Sequence, residues 1–512
     1  MSAGLKIQGG LLARNIALNL VGQIIPALVA VVTVPYIIHG LGVERFGILS
    51  LAWVVFGYLS IFDLGLGRAT TKFAAEALGK GETKRIPAII WTSLALQIML
   101  SITGSTILVV ATPFLVGKVL NIPPYLIEET KISFYLLSIS LPVVMCSGNL
   151  KGLLEARQRF DLVNAVRIPS SSLIFLLPAV AIMLGFQLPG IILFLIVSRI
   201  VAGFAYLTFC FKVFPSIRQL FSINPTIIKP FFTYGGWITL CSIIIPILIY
   251  SDRFLIGTIV SVAALGYYTA PYEVVSRLQI FPRSFATTLF PAFSTIAAFK
   301  KKDLGGLYAR SLKYLLLIMG PITLVIILFA EDILYLWLGS DFAVKGTLVF
   351  QILAVGMLLN ALSQMPANLL DGIGRPDLRA KIFLSYILPY VALLWFLISK
   401  FGIVGAALAW TLRAGLELIL FFAVSWKLLR LERVIFIENG SLRGLIAFAS
   451  FAAITPIITT AVGKSIWIRG TATVICLMLF ASVVWRYVLD QQDKSGLKAI
   501  FLQFAYNRKD AQ

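Results

Sequence analysis

Apolar runs of about 20 residues recur along the whole chain and limit its fold more than any other feature. A helix of that length crosses a hydrocarbon core of about 30 Å. In lipid, only helices and closed barrels pair every backbone polar group, and continuous apolar runs exclude the alternating pattern of barrel strands. The sequence therefore predicts an all-α integral membrane protein of about fourteen transmembrane helices.

The composition agrees with lipid as the solvent. Hydrophobic residues make up 59% of the chain, charged residues only 13%, and the mean hydropathy is +0.95. The four cysteines have no paired spacing, so neither a disulfide framework nor a metal site is expected. Because nucleotide-binding and catalytic motifs are also lacking in the sequence, we predict no catalytic residues and no cofactor.

The formal charge of +21 reflects topology, because the basic residues alternate from loop to loop. With the N-terminus in the cytoplasm, 31 of the 43 Lys and Arg residues lie on that side, seven lie outside and five lie within helices. This distribution follows the positive-inside rule. It predicts a multi-pass protein of the plasma (inner) membrane with both termini cytoplasmic, and it requires no nucleic-acid partner.

A weak internal repeat divides the chain. Residues 153–162 recur without a gap as 369–378, and Arg199 matches Arg413 at nearly the same offset. These matches indicate that helices 1 to 6 are duplicated as helices 7 to 12. Since six is an even number, the copies have the same orientation, which is the parallel repeat of two-lobed transporters.

The repeat also sets the expected lobe boundaries. Phe46-Gly47 matches Leu265-Gly266, so the start of helix 2 corresponds to the start of helix 8. We therefore expect an N-terminal lobe over 1–220, a C-terminal lobe over 221–432, and an appended pair of helices with a cytoplasmic tail over 433–512. A ligand is expected between the lobes.

Eight ionisable side chains fall within the predicted helices, where each costs roughly 2.5–3.5 kcal/mol unless it faces a cavity or a partner. Arg199 and Arg413 lie near the middle of their helices and should point inward. A four-residue spacing places Glu273 with Arg277, and Arg413 with Glu417, on one helical face. The full set is Arg199, Asp252, Arg253, Glu273, Arg277, Arg283, Arg413 and Glu417.

Five arginines against three carboxylates predict a cavity with excess positive charge. Arginine binds phosphate oxygens at two points, so the five are predicted to bind an anionic head group. The alternative is that each arginine tethers a carboxylate or a backbone carbonyl. The carboxylates Asp252, Glu273 and Glu417 either couple transport to an ion or serve as structural partners.

The first helix carries a polar stripe. Asn15, Asn19 and Gln23 follow one another at four-residue steps and cannot comfortably face lipid. Pro26 follows them, and proline allows a helix to bend. The stripe is therefore predicted to line the lumen or an interhelical contact, with Pro26 a candidate for gating.

Several segments together resemble a known family. They are the opening from Asn15 to Gly42, the Val43–Gly47 turn, the Asp63–Gly67 helix end, the Ser251–Gly257 segment and Leu265–Tyr268. These segments resemble the Wzx-type polysaccharide flippases, which belong to the multidrug/oligosaccharidyl-lipid/polysaccharide exporter superfamily. The resemblance extends over essentially the whole chain.

The resemblance implies a transporter rather than an enzyme. Its substrate would be an oligosaccharide unit linked to polyprenyl pyrophosphate, moved to the outer leaflet by alternating access for O-antigen, lipopolysaccharide or exopolysaccharide synthesis. Arg199, Arg277 and Arg413 would contact the pyrophosphate or acidic sugars, and the tail would stay in membrane lipid. Expected partners are a coupling proton or sodium ion and a polysaccharide polymerase. The alternatives are a peptidoglycan-precursor flippase, a drug/cation antiporter, or a membrane glycan polymerase or ligase.

Overall fold

The computed structural model describes residues 9–58, 66–157, 159–219, 221–228, 236–286, 289, 301–373, 375–430, 432–463, 465–491 and 493–495. Within these residues the regular elements are helices, and no β-strand is present. The helices are α1 (Gly9–Tyr58), α2 (Leu66–Gly79), α3 (Ile86–Phe114), α4 (Ile127–Ala156), α5 (Phe160–Met183), α6 (Leu188–Val213), α7 (Ser216–Gln219), α8 (Gly236–Ile259), α9 (Val262–Ser276), α10 (Lys301–Leu328), α11 (Ala330–Leu338), α12 (Ser340–Gly372), α13 (Pro376–Leu429), α14 (Arg433–Glu438), α15 (Ser441–Ala461) and α16 (Ile466–Val483).

Two of these helices are too long for a single membrane crossing, and each bends at a glycine. α1 has 50 residues and α13 has 54, whereas about 20 residues span the hydrocarbon core. Gly42 has φ 78° and ψ 161°, and Gly402 has φ 56° and ψ −134°. A positive φ is readily adopted only by glycine. Each glycine therefore divides its helix into two segments.

Ten helical segments in the described residues are long and apolar enough to cross a membrane. Large apolar side chains point outward from them, and Val32 and Leu388 are 75% and 79% exposed. A surrounding lipid phase accounts for so much exposed apolar surface. The predicted all-α integral membrane fold is confirmed. The count of fourteen stays a prediction, because 59–65, 229–235 and 290–300 lie outside the described residues.

The chain forms two compact units. The first unit is Met1–Arg277 with Phe383–Ala409, and the second unit is Leu278–Ile382 with Trp410–Gln512. The lobe boundaries expected from the repeat, at residues 220 and 432, stay a prediction.

In the first unit, α4 packs against α3 and α6, and α1 packs against α5 and α9. A buried polar network fixes α3 to α4. The Asn149 side-chain nitrogen donates to Gln97 Oε1 at 3.0 Å and to the Ser93 carbonyl at 3.3 Å. All three residues are fully buried. Because unpaired polar groups are costly in an apolar interior, this network holds the two helices in one register.

α1 and α9 meet at a pair of glycines. A Cβ atom added at Gly47 would lie 1.8 Å from the carbonyl oxygen of Val262, and one added at Gly266 would lie 2.8 Å from that of Val43. The contact is reciprocal, because residue 43 is as far from 262 along the chain as residue 47 is from 266. Two copies of one segment related by a two-fold axis make contacts of this kind. The glycine contact joins two positions that the sequence matched, and the repeat itself stays a prediction.

In the second unit, α10 packs against α12 and α15. A buried ion pair attaches α10 to the segment that follows α16. Lys313 Nζ lies 2.5 Å from Asp493 Oδ2, and the two side chains are 0% and 1% exposed. The Tyr314 hydroxyl donates to the other oxygen of the same carboxylate. Since a buried carboxylate needs several partners, the aspartate ties the C-terminal segment to α10.

Candidate functional site

A cavity of about 450 Å³ lies within the first unit. Helices α1, α5, α6, α8 and α9 wall it, together with the residue that follows α9. The lining residues are Pro26, Ser50, Trp53, Val54, Ser171, Ile174, Phe175, Leu195, Arg199, Tyr250, Arg253, Thr269, Glu273 and Arg277. Polar side chains from distant parts of the chain thus meet in an otherwise apolar bundle.

Five residues singled out from the sequence line this one cavity. They are Arg199 from α6, Arg253 from α8, Glu273 from α9, Arg277, and Pro26 from α1. The four ionisable residues were selected from the sequence because a charge in lipid costs free energy. A position on a shared cavity lowers that cost. Their binding and coupling roles stay predictions.

Arg277 is held in place from two sides. Its Nη2 donates to Glu273 Oε2 at 2.7 Å, the pairing that the four-residue spacing predicted. Its guanidinium also lies over the ring of Phe175, 4.9 Å from the centroid. A cation over an aromatic face is stabilised by the ring's negative face. The carboxylate and the ring therefore fix where this positive charge sits in the cavity.

Arg253 is 5% exposed and is supported by its own helix and by α9. Its Nη1 donates to the Ile249 carbonyl at 3.0 Å and lies 3.3 Å from Asp252 Oδ1. The guanidinium stacks on Tyr272, 3.9 Å from the ring centroid. The Tyr268 hydroxyl donates to Asp252 Oδ2 at 2.6 Å. Asp252 thus lies behind the arginine as a fully buried counter-charge.

The sequence did not identify Tyr268 and Tyr272 as part of the site. They lie four residues apart on one face of α9, which is a detectable signal. Their partners Asp252 and Arg253, however, belong to α8. No periodicity within one helix shows which residue of another helix it will meet, so this support could be found only in three dimensions.

Two donors on the cavity wall have no hydrogen-bond partner among the described residues. They are the indole Nε1 of Trp53 and the hydroxyl of Thr269, and both atoms are buried. Neither residue was predicted. With three guanidinium groups, the cavity presents many donors and a single lining carboxylate, Glu273. Such a surface complements a ligand rich in acceptor oxygens.

Arg413 and Glu417 lie in the second unit and are not on the cavity wall. They form the predicted ion pair on one face of α13, with both side chains 6% exposed. The Arg413 guanidinium lies 5.7 Å from the ring centroid of Trp410. Arg283 is exposed, and its Nη2 lies 3.4 Å from Gln279 Oε1. The lumen roles of these residues stay predictions.

The polar stripe of α1 is only partly described. The backbone of Asn15, Asn19 and Gln23 is helical, but their side chains lie outside the described residues. Pro26 is buried and lines the cavity. The helix passes through Pro26 and Pro35 without a break before Gly42.

The sequence profile of a family described as "Polysaccharide biosynthesis protein" matches residues 12–297, more than half of the chain. The chain belongs to this family. The matched region contains every residue that lines the cavity. The resemblance to the Wzx-type polysaccharide flippases predicted from the sequence is therefore confirmed.

One relative is similar to this chain in sequence, and two solved structures are similar to it in fold. A Shigella flexneri protein named "Putative O-antigen transporter" is 29% identical over 421 residues, which cover 80% of this chain and 96% of that protein. The solved structure of lipid II flippase MurJ, inward closed, superposes with a TM-score of 0.71 at 14% identity, covering 92% and 98% of the two chains. An inward-facing MATE family transporter of the MOP superfamily superposes with a TM-score of 0.68 at 16% identity, covering 79% and 94%.

The donors that line the cavity are chemically suited to an anionic group. Three arginines supply planar donors, and Glu273 and Asp252 fix two of them. Because the surroundings are apolar, charge interactions in the cavity are stronger than they would be in water. The arrangement is suited to reversible binding of a charged group inside a membrane protein.

Proposed function

We propose that this protein is a flippase that moves an oligosaccharide linked to polyprenyl pyrophosphate from the cytoplasmic to the outer leaflet for surface polysaccharide synthesis. One observation carries the proposal: Arg199, Arg253 and Arg277 line a single cavity, and among the described lining residues Glu273 is the only carboxylate. The membership in the polysaccharide biosynthesis protein family supports it.

The excess of positive charge argues for an anionic ligand. A pyrophosphate offers several oxygens that accept paired hydrogen bonds from guanidinium groups. A drug or cation antiporter would need the opposite balance of charge, since a cationic ligand is repelled by three arginines. The name of the Shigella relative supports an O-antigen unit over other glycans.

In this proposal, Arg253 and Arg277 contact the pyrophosphate and Arg199 contacts it or an acidic sugar from α6. The polyprenyl tail remains in lipid. Arg413, paired with Glu417 in the second unit, is proposed to meet the head group in another state of the alternating-access cycle. A polysaccharide polymerase would then consume the unit on the outer face.

Coupling to an ion is proposed to act through Glu273. Its carboxylate holds Arg277 at 2.7 Å, so a proton or sodium ion on Glu273 would release the guanidinium for the ligand. Asp252 is the second candidate, because it holds Arg253 in the same manner. A Glu273→Gln variant is expected to keep binding the ligand while losing any dependence of its rate on an ion gradient.

The test is flipping in reconstituted liposomes of a short-chain prenyl pyrophosphate carrying a labelled oligosaccharide. Arg277→Gln removes a charge-assisted hydrogen bond of about 1.5–3 kcal/mol and should lower affinity roughly tenfold to a hundredfold. Arg159→Gln is the matched control, because it breaks an exposed ion pair with Asp161 away from the cavity. Equal rates for both variants would remove Arg277 from the mechanism.

A second experiment separates transport from enzymatic roles. Deletion of the gene should trap complete lipid-linked units on the cytoplasmic leaflet and abolish the surface glycan. Units that reach the outer leaflet but stay unpolymerised would identify a polymerase or ligase instead. Transport of cationic drugs by the reconstituted protein, without flipping of the lipid-linked oligosaccharide, would identify an antiporter.

A further inference from the structure

We propose that Trp53 and Thr269 form a sugar-binding subsite in the cavity, next to the arginines that hold the phosphate linkage. The inference rests on the proposed function, because it names what the cavity recognises beyond the phosphate. The ligand group is a sugar ring that offers an acceptor oxygen, either a hydroxyl or an amide carbonyl.

Thr269 differs from most other buried threonines that the structure describes. Thr323 also has no hydrogen-bond partner within the described ranges, but it lies in the second unit and does not line the cavity. The hydroxyls of Thr33, Thr70, Thr112 and Thr130 each donate to the carbonyl four residues earlier on their own helix. That bond satisfies a buried hydroxyl without any ligand. Thr269 is 1% exposed and lines the cavity, yet its hydroxyl has no partner among the described residues. The hydroxyl therefore has unused hydrogen-bonding capacity in a residue that lines the site.

Trp53 shows the same contrast with a second tryptophan. The indole Nε1 of Trp91 donates to the carbonyl of Ile217 at 3.1 Å, whereas the buried Nε1 of Trp53 has no partner in the described part of the chain. An indole nitrogen only donates. A ligand that satisfies Trp53 must therefore bring an acceptor into the cavity.

Aromatic contacts place this donor beside the proposed phosphate site. The Trp53 ring packs edge-on against Phe175, with centroids 5.4 Å apart. The Arg277 guanidinium also contacts Phe175, at 4.9 Å from the centroid of the same ring. One phenyl ring thus separates the indole from the cation. A ligand whose anionic group meets Arg277 would present its adjoining sugar to Trp53.

The chemistry of a sugar fits both halves of the subsite. Ring oxygens and hydroxyls accept from an indole N–H, and a hydroxyl both donates to and accepts from threonine. A site built to bond a hydroxyl discriminates against an analogue without it, because its own polar groups are then left unpaired. The cavity is therefore expected to select among lipid-linked units by the first sugar.

The experiment uses the full-length protein in liposomes and compares a parent substrate with its deoxy analogues. The parent is a short-chain prenyl pyrophosphate carrying a single N-acetylhexosamine. In each analogue, a different ring hydroxyl is replaced by hydrogen. The wild-type protein is expected to flip at least one deoxy analogue at least about fivefold more slowly than the parent.

Thr269→Val keeps the side-chain volume and removes the hydroxyl. It should slow the parent substrate to the rate of that deoxy analogue and leave the analogue's own rate unchanged, while Thr269→Ser restores the preference. Trp53→Phe should shift the preference at a different ring position. The matched controls are Thr112→Val and Trp91→Phe, whose polar atoms already have protein partners.

Two results would overturn the subsite. One is a wild-type protein that flips every analogue at the parental rate, and the other is a Thr269→Val variant with an unchanged preference. In both cases phosphate-linked substrates are still flipped, so the proposed function stands. If the wild-type protein flips none of these substrates, the proposed function itself fails.

Discussion

Substituting Gly47 by alanine tests the reciprocal glycine contact most directly. The added Cβ would lie 1.8 Å from the carbonyl oxygen of Val262 and 2.7 Å from its carbonyl carbon. Ordinary van der Waals contact begins near 3.4 Å. Since the obstructing atoms are backbone, no side-chain rotation can make room. α1 and α9 would have to move apart.

The magnitude follows from two opposing effects. Replacing a helical glycine by alanine gains about 1 kcal/mol from reduced backbone freedom in the unfolded chain. Overpacking in a well-packed interior costs about 1–3 kcal/mol or more, and a clash with backbone belongs at the upper end. The clash therefore dominates, and we expect Gly47→Ala to destabilise the protein by about 2 kcal/mol or more. Gly266→Ala should have the same sign with a smaller effect, because its closest contacts are at 2.8 Å.

Gly148 provides the matched control. It lies within α4, and a Cβ atom added there would meet nothing within 4 Å. Gly148→Ala should therefore leave stability unchanged or raise it. The measurement is the midpoint of thermal unfolding in detergent. Unfolding is monitored by tryptophan fluorescence and by the loss of monodispersity. Equal midpoints for Gly47→Ala and Gly148→Ala would show that the close contact of α1 with α9 does not exist.

Two further predictions concern buried hydrogen bonds. Tyr268→Phe removes a 2.6 Å bond to Asp252, so it should slow flipping by roughly tenfold or more without preventing folding, as measured in the liposome assay. Burial raises the pKa of Asp493, but bonds from Lys313 and Tyr314 outweigh it and hold the pKa below its ordinary value. Ionised Asp493 therefore stabilises the folded protein above the unfolded pKa of about 4, and this stabilisation is lost as the pH falls through the folded pKa. Asp493→Asn should cost about 3–5 kcal/mol at neutral pH and flatten the acid limb of stability against pH; an unchanged limb would contradict the assignment.

Much of the fold follows from the sequence because lipid restricts the choices. Long apolar runs must be helical, and the two overlong helices must bend where glycine permits a positive φ, at Gly42 and Gly402. The ionisable residues of the cavity were also detectable, since a charge in an apolar helix requires a special environment. Arg199, Arg253 and Arg277 could be selected on that ground alone.

The remaining parts of the site depend on contacts that one sequence does not specify. Helix rotation decides that Arg253 lines the cavity while Arg413 is buried against Glu417 in the second unit. The choice of rotamer decides that Thr112 bonds its own helix and Thr269 does not. Because the two threonines sit in similar apolar helices, no local pattern distinguishes them.

The glycine contact and the cavity are consecutive parts of the same two helix faces. Residues three and seven positions after each glycine lie on the same side of the helix as the glycine itself. In both helices those residues line the cavity, so the space opens directly beyond the point of closest approach. The equivalent pairs along the repeat are Gly47 with Gly266, Ser50 with Thr269, and Val54 with Glu273. The first two pairs are similar in chemistry, whereas Glu273 has a carboxylate where its counterpart Val54 is apolar. The predicted repeat therefore places equivalent positions of its two copies on the cavity wall, and the difference at the third pair is the carboxylate that positions Arg277.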